Sequence, residues 1–455
     1  MGYQSINPYT AELSQSFKDI SAAELEQKLA LAASCFKNVW SQTTYVERAK
    51  VLARAATILR ERPEEFAKLI TLEMGKLLAQ SMGEVALSAA ILDYYAQYAE
   101  TFLAPEKLVT TKGEASVESS PVGVLFGVEP WNYPYYQIAR FAAPNLMAGN
   151  VVMVKHASSV PQCALAFEKL MTEAGAPEGA YTNLFLSKDQ VGQVIDDSRI
   201  RGVALTGSEA AGAVVAARAG KNLKKTTLEL GGSDAFIVLE DADLDKAVKC
   251  AISGRMGNSG QACTASKRFI VVEALADQFL DKFQAAMQSF KHGDPLDKQT
   301  TLAPLSSSGA LDNLLAQVEK AVEHGAKIVM GGKRIDHAGC FMQPTILTNI
   351  SPNNPAFSEE FFGPVALFFR VANEDAAIAL ANDSPFGLGG SVFTRDIARA
   401  KRVASRMDTG MVFINAPASS SPELPFGGVK NSGYGRELSS AGIQEFVNKK
   451  LIRVA

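Results

Sequence analysis

The sequence predicts an α/β fold built from two parallel-sheet regions with a small β-ribbon appended, and three observations carry that prediction. Between 151 and 230, short apolar strands alternate with helical stretches at a period of roughly 30 residues, as βαβ units with helices on both faces do. A second set of strand-like segments follows Ser233, at 235–239, 268–272, 327–330 and 365–369. Between Glu114 and Val128, β-branched and alternating residues surround Pro121, which confines a strand to an edge or a ribbon. An edge must be covered or paired, so this segment is a candidate dimer element. At 455 residues the chain exceeds what one hydrophobic core usually supports, and two or three domains are expected.

The elements follow in order. Ser21-Ala-Ala-Glu24 is a capping box, after which Leu25, Leu29, Ala32, Ala33, Phe36 and Trp40 recur at helical spacing. Thr44-Tyr-Val-Glu47 opens a second helix with Leu52, Ala56 and Leu59 on one face. Pro63 suits a first helical turn, and two further helices run to about Phe102, broken near Gly75. In the alternating region the strands are 151–154, 181–186, 202–205 and 226–230, and the helices 159–174, 191–197 and 210–219. Such sheets bind ligands at the carboxyl ends of their strands, which singles out Lys155, Thr206-Gly207-Ser208 and Gly231-Gly232. A last strand at 410–415 leads through an Ala- and Ser-rich loop to a β-like tail, 445–454.

Composition excludes several function classes. Lys+Arg 45 against Asp+Glu 48 leaves a net charge of −3, too balanced for a phosphate-backbone partner, so no nucleic acid is expected. No basic-then-apolar leader opens the chain and no apolar run reaches the ~18 residues of a span, so the reading is a cytoplasmic protein without a membrane partner. Cys35, Cys163, Cys250, Cys263 and Cys340 form no CxxC pair, and His156, His292, His324 and His337 lack ligand spacing. No metal site is predicted.

Four segments carry chemistry. Cys263 ends the glycine-rich stretch AISGRMGNSGQAC (251–263), too rich in Gly254, Gly257 and Gly260 for a stable helix; it is either a nucleophile or a packed core thiol. Glu229 lies within an apolar segment, where a buried carboxyl suits general-base work or a structural ion pair. Asn132, in the rigid Pro130-Trp-Asn-Tyr-Pro134, can donate to an oxyanion or simply make a turn. Gly207-Ser208, between strand and helix, can hold a phosphate or serve as a plain N-cap. The G-x-G-x-x-G dinucleotide fingerprint is absent.

Taken together, PWNYP (130–134), LELGG (228–232), GNSGQAC (257–263), EEFFGP (359–364) and PFGGVKNSGYGRE (425–437) resemble, in order and spacing, the aldehyde dehydrogenase superfamily over essentially the whole chain. KHASSVPQ (155–162) and LELGGSDAF (228–236) are most similar to bacterial succinate-semialdehyde dehydrogenases. The resemblance implies an aldehyde dehydrogenase-like fold: a Rossmann-type NAD(P)-binding domain from 1–113 and 129–230, an α/β catalytic domain from 231–420, and an oligomerisation element from 114–128 and 437–455. It implies a homodimer or homotetramer acting on a small-molecule aldehyde.

By the same resemblance Cys263 is the nucleophile that forms a thiohemiacetal and then a thioester, Asn132 stabilises the oxyanion and Glu229 activates the hydrolytic water. Trp131, Lys155, Ser158, Gly207, Ser208, Glu360 and Phe362 are implied cofactor contacts. A neutral Ser158, where NAD-preferring relatives often carry glutamate, implies that NADP is accepted and preferred over NAD. Arg140, ten residues after Pro130, and Ser420, five before PFGG, match residues that hold the distal carboxylate of succinic semialdehyde, and an arginine fork suits a carboxylate. Arg255 is a further substrate candidate, because Gly257 stands where some relatives place a second arginine; a structural carboxylate pair is its alternative. Ala265 replaces the second thiol of relatives with an adjacent-cysteine switch. Glutaric semialdehyde or a broad aldehyde range is the alternative substrate reading. A CoA-acylating enzyme is disfavoured by Glu229, and a catalytically silent protein by the presence of all three reactive residues.

Overall fold

The computed structural model describes residues 2–454. Its first hundred residues are mostly helical. Ser21 and Thr44 close the capping boxes of helices Ala22–Asn38 and Tyr45–Glu61, Pro63 starts Pro63–Met74, and Gly75 in the left-handed region separates it from Leu78–Phe102. One element was not legible: a hairpin of Tyr3–Ile6 and Leu13–Phe17 precedes the helices, and its Gln4 N–H donates to the Ser158 carbonyl at 3.0 Å.

A six-stranded sheet runs in the order Gly433–Tyr434, Lys225–Glu229, Ile200–Thr206, Val124–Glu129, Val151–His156 and Tyr181–Asn183. All neighbours are parallel except the first pair. Chain order reverses at Val124–Glu129, which has the later strand Ile200–Thr206 on one side and Val151–His156 on the other. That reversal opens a crevice beyond the carboxyl ends of the strands. The register sets Glu129 level with His156, and Thr206 level with Glu229, so the candidate residues leave the sheet at one edge.

The ribbon expected over 114–128 is shorter than that. Strand Glu114–Pro121 pairs antiparallel with Val447–Val454 and Glu106–Leu108, whereas Val124–Glu129 is the nearly fully buried centre of the six-stranded sheet. Pro121 and Gly123, at φ +137°, end one strand before the next begins. The glycine-rich stretch also differs from expectation: helix Leu244–Met256 runs straight through Gly254, and the break comes at Asn258 and Ser259, both left-handed, followed by Gly260 at φ +78°. The strand expected at 410–415 reduces to Phe413–Ile414.

A seven-stranded sheet, ordered Lys327–Met330, Thr345–Thr348, Val365–Val371, Ser266–Val272, Asp234–Val238, Gly390–Phe393 and Phe413–Ile414, forms the second α/β region. Apolar cores cover both its faces. On one face Phe236, Phe269, Phe279, Phe283, Phe368 and Phe393 stack together, with centroids as close as 4.4 Å for Phe236 and Phe393. The segment after Pro425 forms a separate two-stranded sheet, Val429–Lys430 with Phe386–Gly387, and then Gly433–Tyr434 extends the six-stranded sheet beside Glu229. No helix among the described residues is long and apolar enough to cross a membrane.

Phe269 is fully buried at the centre of the aromatic face. Replacing it by Ala should lower unfolding free energy by about 3–5 kcal/mol in urea titration, and a loss under about 1 kcal/mol would contradict this account of the core.

Candidate active site

Local structure brings Asn132, Glu229 and Cys263 to one cavity of about 280 Å³ between the two sheets. Its walls also include Trp131, Gln137, Gly207, Ser208, Glu360 and Phe362. A larger groove near Pro63 and Leu296 holds none of the sequence-predicted site residues and no cluster suited to bond-making chemistry.

Asn132 is placed from three directions. Its carbonyl accepts from Lys76 Nζ at 2.8 Å and Asn258 Nδ2 at 3.0 Å. Its side-chain Oδ1 accepts from Gln137 Nε2 at 3.3 Å, which turns the Nδ2 donors toward the cysteine loop, where one donates to the Gln261 carbonyl at 3.1 Å. The second N–H of that amide remains for a developing oxyanion. Lys76 pairs with Glu84, both fully buried, and Glu84 accepts from the N–H groups of Tyr135 and Tyr136 at the start of helix Pro134–Met147.

Cys263 is half-buried on a loop whose carbonyls are also fixed. Lys267 Nζ donates to the carbonyls of Ala262 at 2.8 Å and Cys263 at 2.6 Å and pairs with Glu360 Oε1 at 2.9 Å. Glu360 also accepts from the Gly232 N–H at 3.1 Å. Burial pushes the Cys263 thiol up to about 12, although the charges of Arg140 and Lys267 oppose it. Glu229 ends its strand with both carboxylate oxygens buried and without hydrogen-bond partners. Burial raises its pKa well above the carboxylate range, with Arg140 opposing. A carboxyl so placed makes no ion pair of the structural kind, and its raised pKa is of the sort that suits proton transfer near neutral pH.

The cofactor candidates occupy two stretches of the crevice. Trp131 and Phe362 meet edge to face at 5.7 Å. Ser208 is the N-cap of helix Glu209–Lys221, its Oγ accepting from the Ala211 N–H at 3.4 Å. Ser158 is exposed and uncharged, while the Lys155 ammonium lies 5.5 Å over the Tyr3 ring and is lowered by burial, partly offset by Asp19.

The substrate arginines depart from expectation. Arg140 does not offer a free fork: it is buried, its Nε faces the Glu437 carboxylate, Nη2 donates to Gln137 Oε1 at 2.7 Å and Thr206 Oγ1 at 3.1 Å, and Nη1 donates to Tyr136 Oη at 3.3 Å. A guanidinium out of water needs every donor occupied, and the partner that supplies the counter-charge lies 297 residues away in the Pro425 motif. Burial lowers the Arg140 pKa, but Glu437 more than offsets it and the guanidinium is held protonated. Arg255 is fully buried and donates to the carbonyls of Gly260 at 2.6 Å and Val365 at 3.3 Å, so it braces the cysteine loop, and no carboxylate among the described residues pairs with it. Ser420 is half-buried and bonded to Tyr136 at 2.9 Å. Lys76, Glu84, Gln137, Lys267 and Glu437 were missed by sequence reasoning. Lys267, four residues after Cys263, carried the one readable signal: with Arg268 it places charge at the start of a strand whose remainder, Phe269 to Val272, is apolar.

An aldehyde dehydrogenase family model matches residues 1–452. The chain belongs to the aldehyde dehydrogenase family. Its sequence is 53% identical over 451 residues, 99% of this chain and 94% of the relative, to the succinate-semialdehyde dehydrogenase [NADP(+)] of Deinococcus radiodurans. It is 44% identical, over 98% of this chain and 96% of the relative, to the succinate semialdehyde dehydrogenase [NAD(P)+] of Escherichia coli. The crystal structure of succinic semialdehyde dehydrogenase from Streptococcus pyogenes in complex with NADP+ superposes with a TM-score of 0.98 at 48% identity, covering 99% of both chains.

In this aldehyde dehydrogenase without added nucleotide, alkylation of Cys263 by iodoacetamide should rise roughly tenfold per pH unit from pH 7 to 9, because a thiol held near 12 is still ionising across that range. Peptide mass spectrometry follows the site, and a plateau near pH 7 would contradict the thiol's suppressed ionisation.

Proposed function

We propose that this chain is an NADP-dependent succinate-semialdehyde dehydrogenase that oxidises succinic semialdehyde to succinate. The observation that carries the reading is the meeting of Cys263, Asn132 and Glu229 at one cavity in a chain 53% identical to the Deinococcus enzyme of that activity. In this reading the Cys263 sulfur, as thiolate, bonds to the aldehyde carbon, and the free N–H of Asn132 stabilises the charge that moves onto oxygen; losing such a donor typically costs ~10²–10³ in rate. The bound nicotinamide supplies one thing, acceptance of a hydride from the resulting tetrahedral carbon. Cys263 is then left as a thioester. Glu229 takes a proton from water, the hydroxide adds to the thioester carbon, and the carbon–sulfur bond breaks to release the acid and restore the thiolate.

The residues fit NADP. Lys155, Ser158, Gly207 and Ser208 would hold the adenosine and phosphate end, Trp131, Glu360 and Phe362 the nicotinamide end. A 2′-phosphate would meet a neutral serine at 158 and the positive charge of Lys155, whose pKa is lowered chiefly by burial and to a lesser degree by the nearby charge of Lys188. kcat/KM with succinic semialdehyde should be higher for NADP than for NAD, and Ser158→Glu should lower that ratio by about tenfold or more through charge repulsion. Steady-state kinetics with each nucleotide decide it; a wild-type preference for NAD would sink the cofactor reading.

We also propose a homodimer or homotetramer joined through the three-stranded sheet. Leu451 and Val454 on strand Val447–Val454 are 61% and 63% exposed, an apolar edge that a monomer would leave open to water. Deleting 447–454 should reduce the particle mass measured by light scattering to that of one chain, whereas an unchanged mass would place the contact elsewhere.

A further inference from the structure

Lys267 takes no part in the bond-making steps proposed above, yet its ammonium is tied to Cys263 and Glu360 alike. An ammonium has three protons, and all three are placed: on the carbonyls of Ala262 at 2.8 Å and Cys263 at 2.6 Å, and on Glu360 Oε1 at 2.9 Å. The lysine side chain is fully buried, while Glu360 stands at the cavity wall with 18% of its side chain exposed. Phe362, on the same wall, has its ring centre 6.0 Å from the ammonium. The two glycines of LELGG make room for this row. A Cβ at Gly231 would come within 2.5 Å of Glu360 Oε2, and one at Gly232 within 2.7 Å of the Cys263 carbonyl oxygen. The Gly232 N–H holds the carboxylate from the other side at 3.1 Å.

We propose that Lys267 is a positioning residue that binds the Glu360 carboxylate and the backbone of the nucleophile loop into one unit, and so makes the charge at position 360 felt at the Cys263 sulfur. The inference rests on the reading of Cys263 as the nucleophile. A buried ammonium needs a counter-charge, and the only side-chain oxygen it bonds is that of Glu360. An ion pair out of water is weakly screened, so both of its charges reach the sulfur. Arg140 and Lys267 favour the thiolate, whereas Glu229 and Glu360 oppose it. Asp234 lies close to the lysine, Arg255 close to Glu360, and the phenols of Tyr133 and Tyr136 close to the sulfur. Lys267 thus joins the wall that would hold the nicotinamide end to the loop that carries the reactive thiol.

Lys267→Met and Glu360→Gln break the same ion pair, so a merely structural contact would shift Cys263 in one direction in both. Charge at the sulfur gives opposite signs. In protein without nucleotide, alkylation of Cys263 by iodoacetamide at about pH 8.5, followed by peptide mass spectrometry, should slow about threefold or more in Lys267→Met. It should quicken by a similar factor in Glu360→Gln. The thiolate fraction changes about tenfold per unit of pKa, and the accompanying change in nucleophilicity offsets part of it. Glu360→Asp keeps the charge but shortens the reach, and its rate should stay within about twofold of wild type. Where Lys267→Met does not fold, the comparison of Glu360→Gln with Glu360→Asp decides alone. Rates that move the same way in Lys267→Met and Glu360→Gln, or a Glu360→Asp protein as fast as Glu360→Gln, would overturn the role of Lys267. Full alkylation of Cys263 that leaves the dehydrogenase active would overturn the nucleophile reading and this inference with it.

Discussion

The site depends on charges that have been taken out of water and given partners. Lys76 and Glu84, both essentially inaccessible, face each other behind the Pro130 loop, and each spends its remaining capacity on backbone: Lys76 on the Asn132 carbonyl, Glu84 on the first N–H groups of helix Pro134–Met147. Lys267 does the same on the opposite side, binding two carbonyls of the cysteine loop and the carboxylate of Glu360. Removing one member of such a pair leaves an uncompensated buried ion, a loss of about 3–5 kcal/mol. The loops that carry Asn132 and Cys263 are therefore held by interactions that cannot be loosened gradually. This rigidity is what permits two segments from different sheets to bring the Asn132 amide and the Cys263 sulfur to one cavity.

The same desolvation sets the resting chemistry. Burial raises Cys263 to about 12 and also raises Glu229, Glu129 and Glu437. Three buried carboxyls around one arginine cannot all be ionised, and they titrate as a group. The sign is the same for Cys263 and Glu229: each gains its deprotonated form as pH rises. Both are therefore held mostly protonated by burial, and the cations Arg140 and Lys267 supply the field that favours thiolate. A thiol that is mostly protonated at rest is also less exposed to oxidation, since oxidation follows thiolate character.

Much of the architecture was legible because it rests on local rules. The capping boxes at Ser21 and Thr44, Pro63 at a helix start and Gly75 at a helix end all act within a few residues. The βαβ alternation from Val151 onward reads directly as a parallel sheet, since strands buried on both faces are continuous apolar runs. Where the reading went astray, the deciding contact was remote or the local cue was ambiguous. Pro121 signalled a ribbon, and its strand is the centre of a small three-stranded one rather than an edge, but the strand after Gly123 belongs to the six-stranded sheet, a change of partner that composition does not record. Gly254 suggested a broken helix, yet its lack of a side chain serves close packing against Ser266 inside an intact one.

The sequence by itself determined the class of fold and the family, and it singled out the three residues that the fold brings to one cavity, because a thiol, a carboxyl in an apolar strand and an amide between prolines are recognisable from residue type and motif order. Only the tertiary structure decided what the arginines do. Arg140 and Arg255 have the same formal charge and equal claim on a substrate carboxylate when read in one dimension. Folding spends Arg255 on the carbonyls of the cysteine loop and ties Arg140 to Glu437, because a guanidinium removed from water must be satisfied by whichever acceptors the fold places around it. Those acceptors come from distant parts of the chain, and no stretch of sequence holds them together.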